Sequence, residues 1–383
     1  MAVFLLFAAA LPAVAQSDPT PQQLMKMIEA QQRQLDAMKT ALKKAQDVAD
    51  TAVNKADAAA KTVPGLPNGF EFGGALEIET TQSETYAGVD SSDVTLAKVE
   101  AYFDAQPNEY LSTHFQIIYE DDGTETIALD EAYAIIGNTD EVPMYLQAGK
   151  WAVPFGGFDT SMNTDPLTKT LGETAEAALL VGYSKNGFTF EGYGYNGDTQ
   201  QDGDEDEIDQ FGFQGSYETE MDGTTVSIGA GYLSNIADSG TITDNVTGGT
   251  ALDDYIPGWE VHGTLTRGPL VIYGGYMTAK DSFASGELAF NSQGAQPAAW
   301  NLEAAYVTEL MGKETTFAAT VQGSDEAFAL SMPETRYGGA VTVQLISNYF
   351  ATFEYLHDED YSTSDGGTGD DGHTATFKLA AEF

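Results

Sequence analysis

From Gly69 to Phe383 apolar and polar residues alternate with a period of two, the pattern of strands that face different surroundings on their two sides. In the first such stretch Phe70, Phe72, Gly74, Leu76 and Ile78 share a face, opposite Glu71, Gly73, Ala75, Glu77 and Glu79. In the last, GHTATFKLAAEF, the residues Phe383, Ala381, Leu379, Phe377 and Ala375 make a wholly apolar face, and Glu382, Ala380, Lys378, Thr376 and Thr374 make the other. The pattern gives sixteen strands near 69–82, 91–106, 109–120, 125–137, 143–151, 175–185, 187–196, 206–220, 223–234, 255–267, 269–280, 299–310, 313–324, 334–345, 348–359 and 372–383. A terminal strand with one apolar face fits either the edge of a soluble sandwich or the closing strand of a barrel, where it pairs with the first strand and removes both edges.

The links decide between these. Alternate links are short: Gln106-Pro107-Asn108, Lys185-Asn186, Met221-Asp222, Arg267-Gly268, Met311-Gly312 and Ser347-Asn348. The others are mostly long and often acidic: 83–91, 152–173, 197–205, 236–254, 281–298, 325–333 and 361–371, with 121–124 the short exception. A membrane barrel needs this alternation of tight periplasmic turns and long external loops, and a sandwich has no reason to keep it. The even strand count leaves both ends of the barrel segment in the periplasm. Aromatics on the apolar register near strand ends, such as Phe211, Phe213, Tyr217, Trp259, Trp300, Tyr306, Tyr349, Phe353 and Tyr355, suit interfacial girdles. In the strand near 125–137 Asp130 and Glu131 are adjacent, so either one lies on the apolar register or a bulge intervenes.

Before Gly69 the pattern changes. Residues from Pro21 to about Lys61 hold no glycine and many Ala, Gln, Lys and Leu, a helix-forming composition. One heptad register puts Ile28, Leu35, Leu42, Ala49 and Ala56 at a, with Gln31, Met38, Ala45, Ala52 and Ala59 at d, which suits a coiled coil; an amphipathic helix lying on another surface shows a similar stripe. Residues 63–68, VPGLPN, break the helix and form a linker. Residues 2–15 are apolar and end in Ala13-Val14-Ala15, the core and cleavage site of a secretory signal peptide lacking the usual basic residue near Met1. The predicted organisation is a signal peptide over 1–15, a periplasmic helical coiled coil over 16–62, a linker over 63–68, and over 69–383 an all-β, 16-stranded antiparallel transmembrane barrel in the outer membrane of a Gram-negative cell.

Composition narrows the chemistry. The chain has no cysteine, which excludes thiolate catalysis, cysteine-ligated zinc and disulfides. It contains no run of 18 apolar residues, so it is not a helical membrane protein. Its net charge of -43 repels nucleic-acid phosphates. Seven of the 16 basic residues lie before residue 69, so the barrel segment carries 53 acidic and nine basic side chains.

The longest early insertion is the third external loop, Val153 to Glu173, placed where general porins fold a loop inward to narrow the pore. Folded that way, Asp159, Asp165, Lys169 and Glu173 face the lumen near Lys150; the other arrangement leaves the loop resting on the rim. Register assigns Glu77, Glu79, Glu100, Asp104, Glu191, Glu260, Glu303 and Glu354 to the lumen. Acidic groups around water favour cations, although acidity this extensive also suits a saline habitat. Residues 196–210, NGDTQQDGDEDEIDQ, lack an EF-hand spacing and read as a solvated acidic loop rather than a calcium site. The four histidines, His114, His262, His357 and His373, show no metal-ligand spacing in the sequence. No serine has a nucleophile-elbow setting and no phosphate-binding glycine loop is present, so neither an enzyme nor a cofactor is expected.

The alanine-rich helix, the linker, GFEFGGALEIE as opening strand, the segment AGKWAVPFGGFDT and the terminal KLAAEF together resemble the LbtU-type siderophore porins, and more distantly the phosphate-selective porin O/P superfamily. The resemblance implies an outer-membrane barrel tied to siderophore-bound iron uptake. Phosphate porins line their pore with arginine and lysine; after the linker this chain has only Arg267, Arg336 and seven lysines, which argues against phosphate. The functions left are a channel for small hydrophilic solutes or siderophores, a structural protein whose coiled coil spaces or tethers the outer membrane to peptidoglycan, and an outer-membrane enzyme. The expected partners are outer-membrane lipid and lipopolysaccharide, the transported solute, and two further copies in a homotrimer.

Overall fold

A computed structural model describes residues 69–121, 126–203, 207–247 and 251–383. The signal peptide, coiled coil and linker expected before Gly69 lie outside the described residues. Sixteen strands close into one antiparallel barrel: β1 (Phe70–Glu84), β2 (Asp90–Asn108), β3 (Leu111–Glu120), β4 (Ile127–Ile136), β5 (Met144–Ala152), β6 (Ala175–Lys185), β7 (Phe188–Tyr195), β8 (Gln210–Met221), β9 (Thr224–Leu233), β10 (Gly258–Arg267), β11 (Leu270–Ala279), β12 (Ala298–Leu310), β13 (Lys313–Asp325), β14 (Thr335–Ile346), β15 (Tyr349–Glu359) and β16 (Asp371–Glu382). Each strand pairs with its sequence neighbours, and β16 pairs with β1 from Ala75↔Glu382 to Glu84↔His373. The seam is finished by Gly74 and Phe383, whose amides each donate to the other's carbonyl at 3.0 Å. The sandwich reading is therefore excluded, because no sheet edge is left open for a second layer.

The outer face explains the sequence pattern. Leu179, Phe190, Phe213, Trp259, Trp300, Tyr306, Phe353 and Phe377 stand exposed on it, an arrangement stable only against an apolar medium. At one end the hairpins are tight. At Asn186-Gly187 and Asp222-Gly223 both turn residues have positive φ, the twist that matches paired strands and the reason Asn, Asp and Gly sit there. The adjacent acids of β4 are resolved by a bulge: Gln116 pairs with Glu131 and Ile117 with Leu129, leaving Asp130 as the extra residue.

The inner face departs from the expected uniform polarity. At the loop-bearing end, inward positions on β5 to β12 include Trp151, Leu180, Tyr193, Tyr195, Leu233, Met277 and Ala299, all buried. They pack against Phe155, Leu167 and Leu171 of the third loop, Ile236 and Ile242 of the fifth, Phe283 and Leu288 of the sixth, and Leu330 and Met332 of the seventh. The physical reason lies in the loops: their apolar residues need a partner surface, so the upper inner wall on that side is apolar too. Helix α1 (Leu167–Gly172) belongs to the third loop and α2 (Gly240–Asn245) to the fifth.

Candidate functional site: the lumen and its inward loop

The third loop leaves β5 at the loop-bearing end and turns into the barrel. Thr160 Oγ1 and the Ser161 amide donate to Glu303 of β12, each at 2.6 Å. The amides of Asn163 and Thr164 donate to Glu354 of β15 at 2.6 and 3.1 Å, and Thr164 Oγ1 donates to its other oxygen at 2.5 Å. Asn163 Nδ2 reaches Glu79 of β1 at 3.0 Å. On the return, the Leu167 amide donates to Gln322 of β13 at 2.8 Å and Thr168 Oγ1 contacts Asn301 of β12 at 3.0 Å. Met162, between the two acidic anchors, sits on Ala305, Ala318, Ala340 and Leu356.

These contacts fix the depth of the loop. Glu303 and Glu354 each lie five residues below the loop end of their strands, about 16 Å along the strand and roughly 12 Å along a barrel axis tilted by ~40°. The loop tip is thus held well inside the barrel by carboxylates that accept backbone amides, the stronger kind of hydrogen bond.

The remaining register-assigned acids divide by partner. Glu77 pairs with Lys378 at 3.2 Å and Glu100 with Lys98 at 2.7 Å. Asp104 bonds His114 at 2.8 Å, and Glu260 bonds His262 at 2.8 Å. Glu191 accepts from the Tyr145 hydroxyl at 2.6 Å. Around β1 to β4 the inner wall also carries Tyr102, Glu131 and Tyr133, with His114 lying between the two tyrosine rings at 6.3 and 5.2 Å. This wall is polar and aromatic where the β5 to β12 side is filled by the loop cluster.

Of the loop groups named from the sequence, Asp159 and Asp165 are exposed. Lys169 bridges Asp165 at 3.0 Å and Glu173 at 3.6 Å. Burial opposes the Lys169 charge, but the two carboxylates outweigh it and hold its pKa above the ordinary lysine value. Burial raises the Glu173 carboxyl, and Lys169 offsets part of that rise. Lys150 is a correction. It pairs with Ala132 and Ala177 on the outward register, alongside exposed Leu146 and Leu179, and its Nζ donates to the Leu129 carbonyl at 3.2 Å. Trp151, its neighbour, takes the inward position, since parity gives a strand end only one of two adjacent residues.

Sequence reasoning passed over Asn301 and Gln322, the neutral polar residues that hold the loop, and His114, Tyr102 and Tyr133 on the opposite wall. All of them lie on the inward parity, where a carboxylate is marked by its charge and these side chains are not. The histidines are scattered along the sequence, but His357 and His373 are direct partners across β15 and β16.

No protein-family profile matches the chain. It is 29% identical over 310 residues to a UPF0422 protein of Coxiella burnetii, covering 78% of this chain and 66% of the relative. It is 25% identical over 332 residues to a UPF0422 protein of Legionella pneumophila strain Lens, covering 80% of this chain and 62% of that one. The match thus spans about two thirds or less of these curated relatives. Among solved structures, the outer membrane channel DcaP of Acinetobacter baumannii superposes with a TM-score of 0.57 at 12% identity, covering 84% of this chain and all of that one. OprB of Pseudomonas putida gives 0.55 at 10% identity, covering 82% and 94%. Salmonella typhi OmpF, in complex with daunomycin, gives 0.55 at 14% identity, covering 82% and 97%. At these identities the likeness is one of fold, and the described chain has the closed 16-stranded barrel of outer-membrane channels.

Proposed function

We propose that the protein is an outer-membrane porin that passes small hydrophilic solutes through an acidic lumen narrowed by its third loop. The observation that carries this reading is the loop tip hydrogen-bonded to Glu303 and Glu354 deep inside a closed barrel. The passage runs between that loop, with Asp159 and Asp165 exposed on it, and the β1 to β4 wall that holds Glu100, Asp104 and Glu131. Carboxylates on both sides lower the energy of cations and raise that of anions. Lys169 is tied to two acids and offers no free positive charge to an anion.

The apolar cluster confines the route to one side of the mouth without supplying a hydrophilic solute with partners. Ferric siderophores are the finer substrate class, supported by the resemblance of the opening strand, the AGKWAVPFGGFDT segment and the terminal strand to siderophore porins. A homotrimer in lipopolysaccharide-bearing membrane is the assembly that goes with this reading.

Liposome swelling tests it. Vesicles holding the purified protein should swell in arabinose and in a cationic amino acid faster than in an anionic one of equal size. Swelling no faster than in protein-free vesicles would remove the porin assignment. Growth of a deletion strain on defined siderophores under iron limitation tests the finer class, and unimpaired growth on every one of them would sink it.

A further inference from the structure

On the outward face at the loop-bearing end, β15 and β16 bring four metal-ligating side chains into one array. His357 is the direct cross-strand partner of His373, and two residues nearer the rim Glu359 is the direct partner of Asp371. All four share the parity of exposed Phe353 and Tyr355, so they stand outside the barrel rather than in the lumen. The imidazole Nδ1 atoms of His357 and His373 are 3.1 Å apart. His357 Nε2 lies 3.9 Å from Glu359 Oε1, and donor atoms of His357, Glu359 and Asp371 all fall within 4.8 Å of one another. No other group of three His, Cys, Asp or Glu among the described residues meets that spacing.

The geometry points to a surface site for a borderline divalent transition metal, of which zinc is the representative, built from His357, His373, Glu359 and Asp371. Imidazole nitrogen with carboxylate oxygen is the donor set that suits zinc, nickel and copper, whereas magnesium and calcium take oxygen donors. Bonds of about 2.0–2.2 Å in a tetrahedral site hold donors roughly 3.4 Å apart, within about 1.5 Å of the separations among His357, Glu359 and Asp371. The other two histidines are already engaged: His114 bonds Asp104 and His262 bonds Glu260, each at 2.8 Å. His357 and His373 instead face each other, with no carboxylate among the described residues within hydrogen-bond distance of either ring.

On the β14 side Tyr337 is the cross-strand partner of His357, its ring stacked at 6.1 Å. The Tyr355 hydroxyl lies 2.9 Å from His373 Nδ1, and Glu84 of β1 is the cross-strand partner of His373 on its other side. His357 Nε2 is the nitrogen on the Glu359 side.

The folded full chain in detergent micelles, titrated with zinc against a chromophoric chelator, tests the site. The expected result is one zinc per chain held with micromolar affinity or tighter, not displaced by millimolar magnesium, and weakened at least tenfold in the His357→Ala/His373→Ala variant. The single variant His373→Gln, which keeps the size and polarity of the position, should lose affinity in the same direction. Both variants should keep the wild-type shift in electrophoretic mobility on heating. Zinc bound equally well by the folded variants, or displaced by magnesium, would assign the binding to the acidic loops and overturn the site.

Discussion

Removing the two carboxylates that hold the third loop should release its tip from the barrel wall. Glu354 accepts three hydrogen bonds from Asn163 and Thr164, and Glu303 accepts two from Thr160 and Ser161. A bond to a charged group is worth about 1.5–3 kcal/mol net and an ordinary one about 1; once the loop opens both amides and carboxylates meet solvent, so about 1 kcal/mol per bond applies. Five bonds then give about 5 kcal/mol for Glu303→Ala/Glu354→Ala, a shift in the local opening equilibrium of between three and four powers of ten. Glu303→Gln/Glu354→Gln keeps an acceptor at each position and loses only the charge assistance, so about half that effect is expected. Hydrogen exchange at the amides of Ser161, Asn163 and Thr164 reads the opening directly, and open-channel noise in planar bilayers reads its effect on the passage. Protection in the double alanine variant equal to wild type, with unchanged noise, would show that these carboxylates do not hold the loop.

Three other outcomes follow from the same structure. Asp238 in the fifth loop is buried and pushed up to about 6, chiefly by desolvation, although Thr199 and Asn235 bond it. A folded-state pKa raised above the unfolded value of 3.8 means that protonation favours the closed loop. Protection of residues 240–245 in hydrogen exchange should therefore rise as pH falls from 7 to 4, by up to about 3 kcal/mol. In Asp238→Asn the dependence should vanish; a fall in wild-type protection over that range would reverse the sign. Phe353→Arg, on the outward face between Val341 and Phe377, should cost about 2–4 kcal/mol in urea unfolding from lipid vesicles. Glu100→Arg, on the inward face, should cost far less and instead lower cation selectivity; equal destabilisation by the two would contradict the assignment of faces.

Much of this is legible in the amino-acid sequence. Strand parity and the short-long alternation of links are consequences of two media and two ends, and both are written in single residues such as Phe353, Glu354 and Tyr355. The adjacent Asp130 and Glu131 left two possibilities, an acid on the apolar register or a bulge, and the bulge is the one that forms. What parity cannot settle is which of two neighbours wins at a strand end, and there Trp151 took the lumen and Lys150 the outside. Nor does local pattern reveal contacts across the lumen. Ser161 and Glu303 are 142 residues apart, and nothing near either one marks the other. The apolar loop cluster was hidden for the same reason, since its members come from four loops and six strands spread along the chain. The His357 and His373 pair is separated by a long external loop, so its spacing in sequence carries no ligand signature, while its register in the sheet does.

The central claim is that water and ions cross this barrel past facing carboxylates. The zero-current potential of the purified protein in a planar bilayer, under a tenfold gradient of potassium chloride, measures it most directly. A potential of the sign set by potassium moving from the concentrated side, reduced in Glu100→Gln/Asp104→Asn, is the expected result. A bilayer that stays silent, or a potential of the opposite sign, would contradict it.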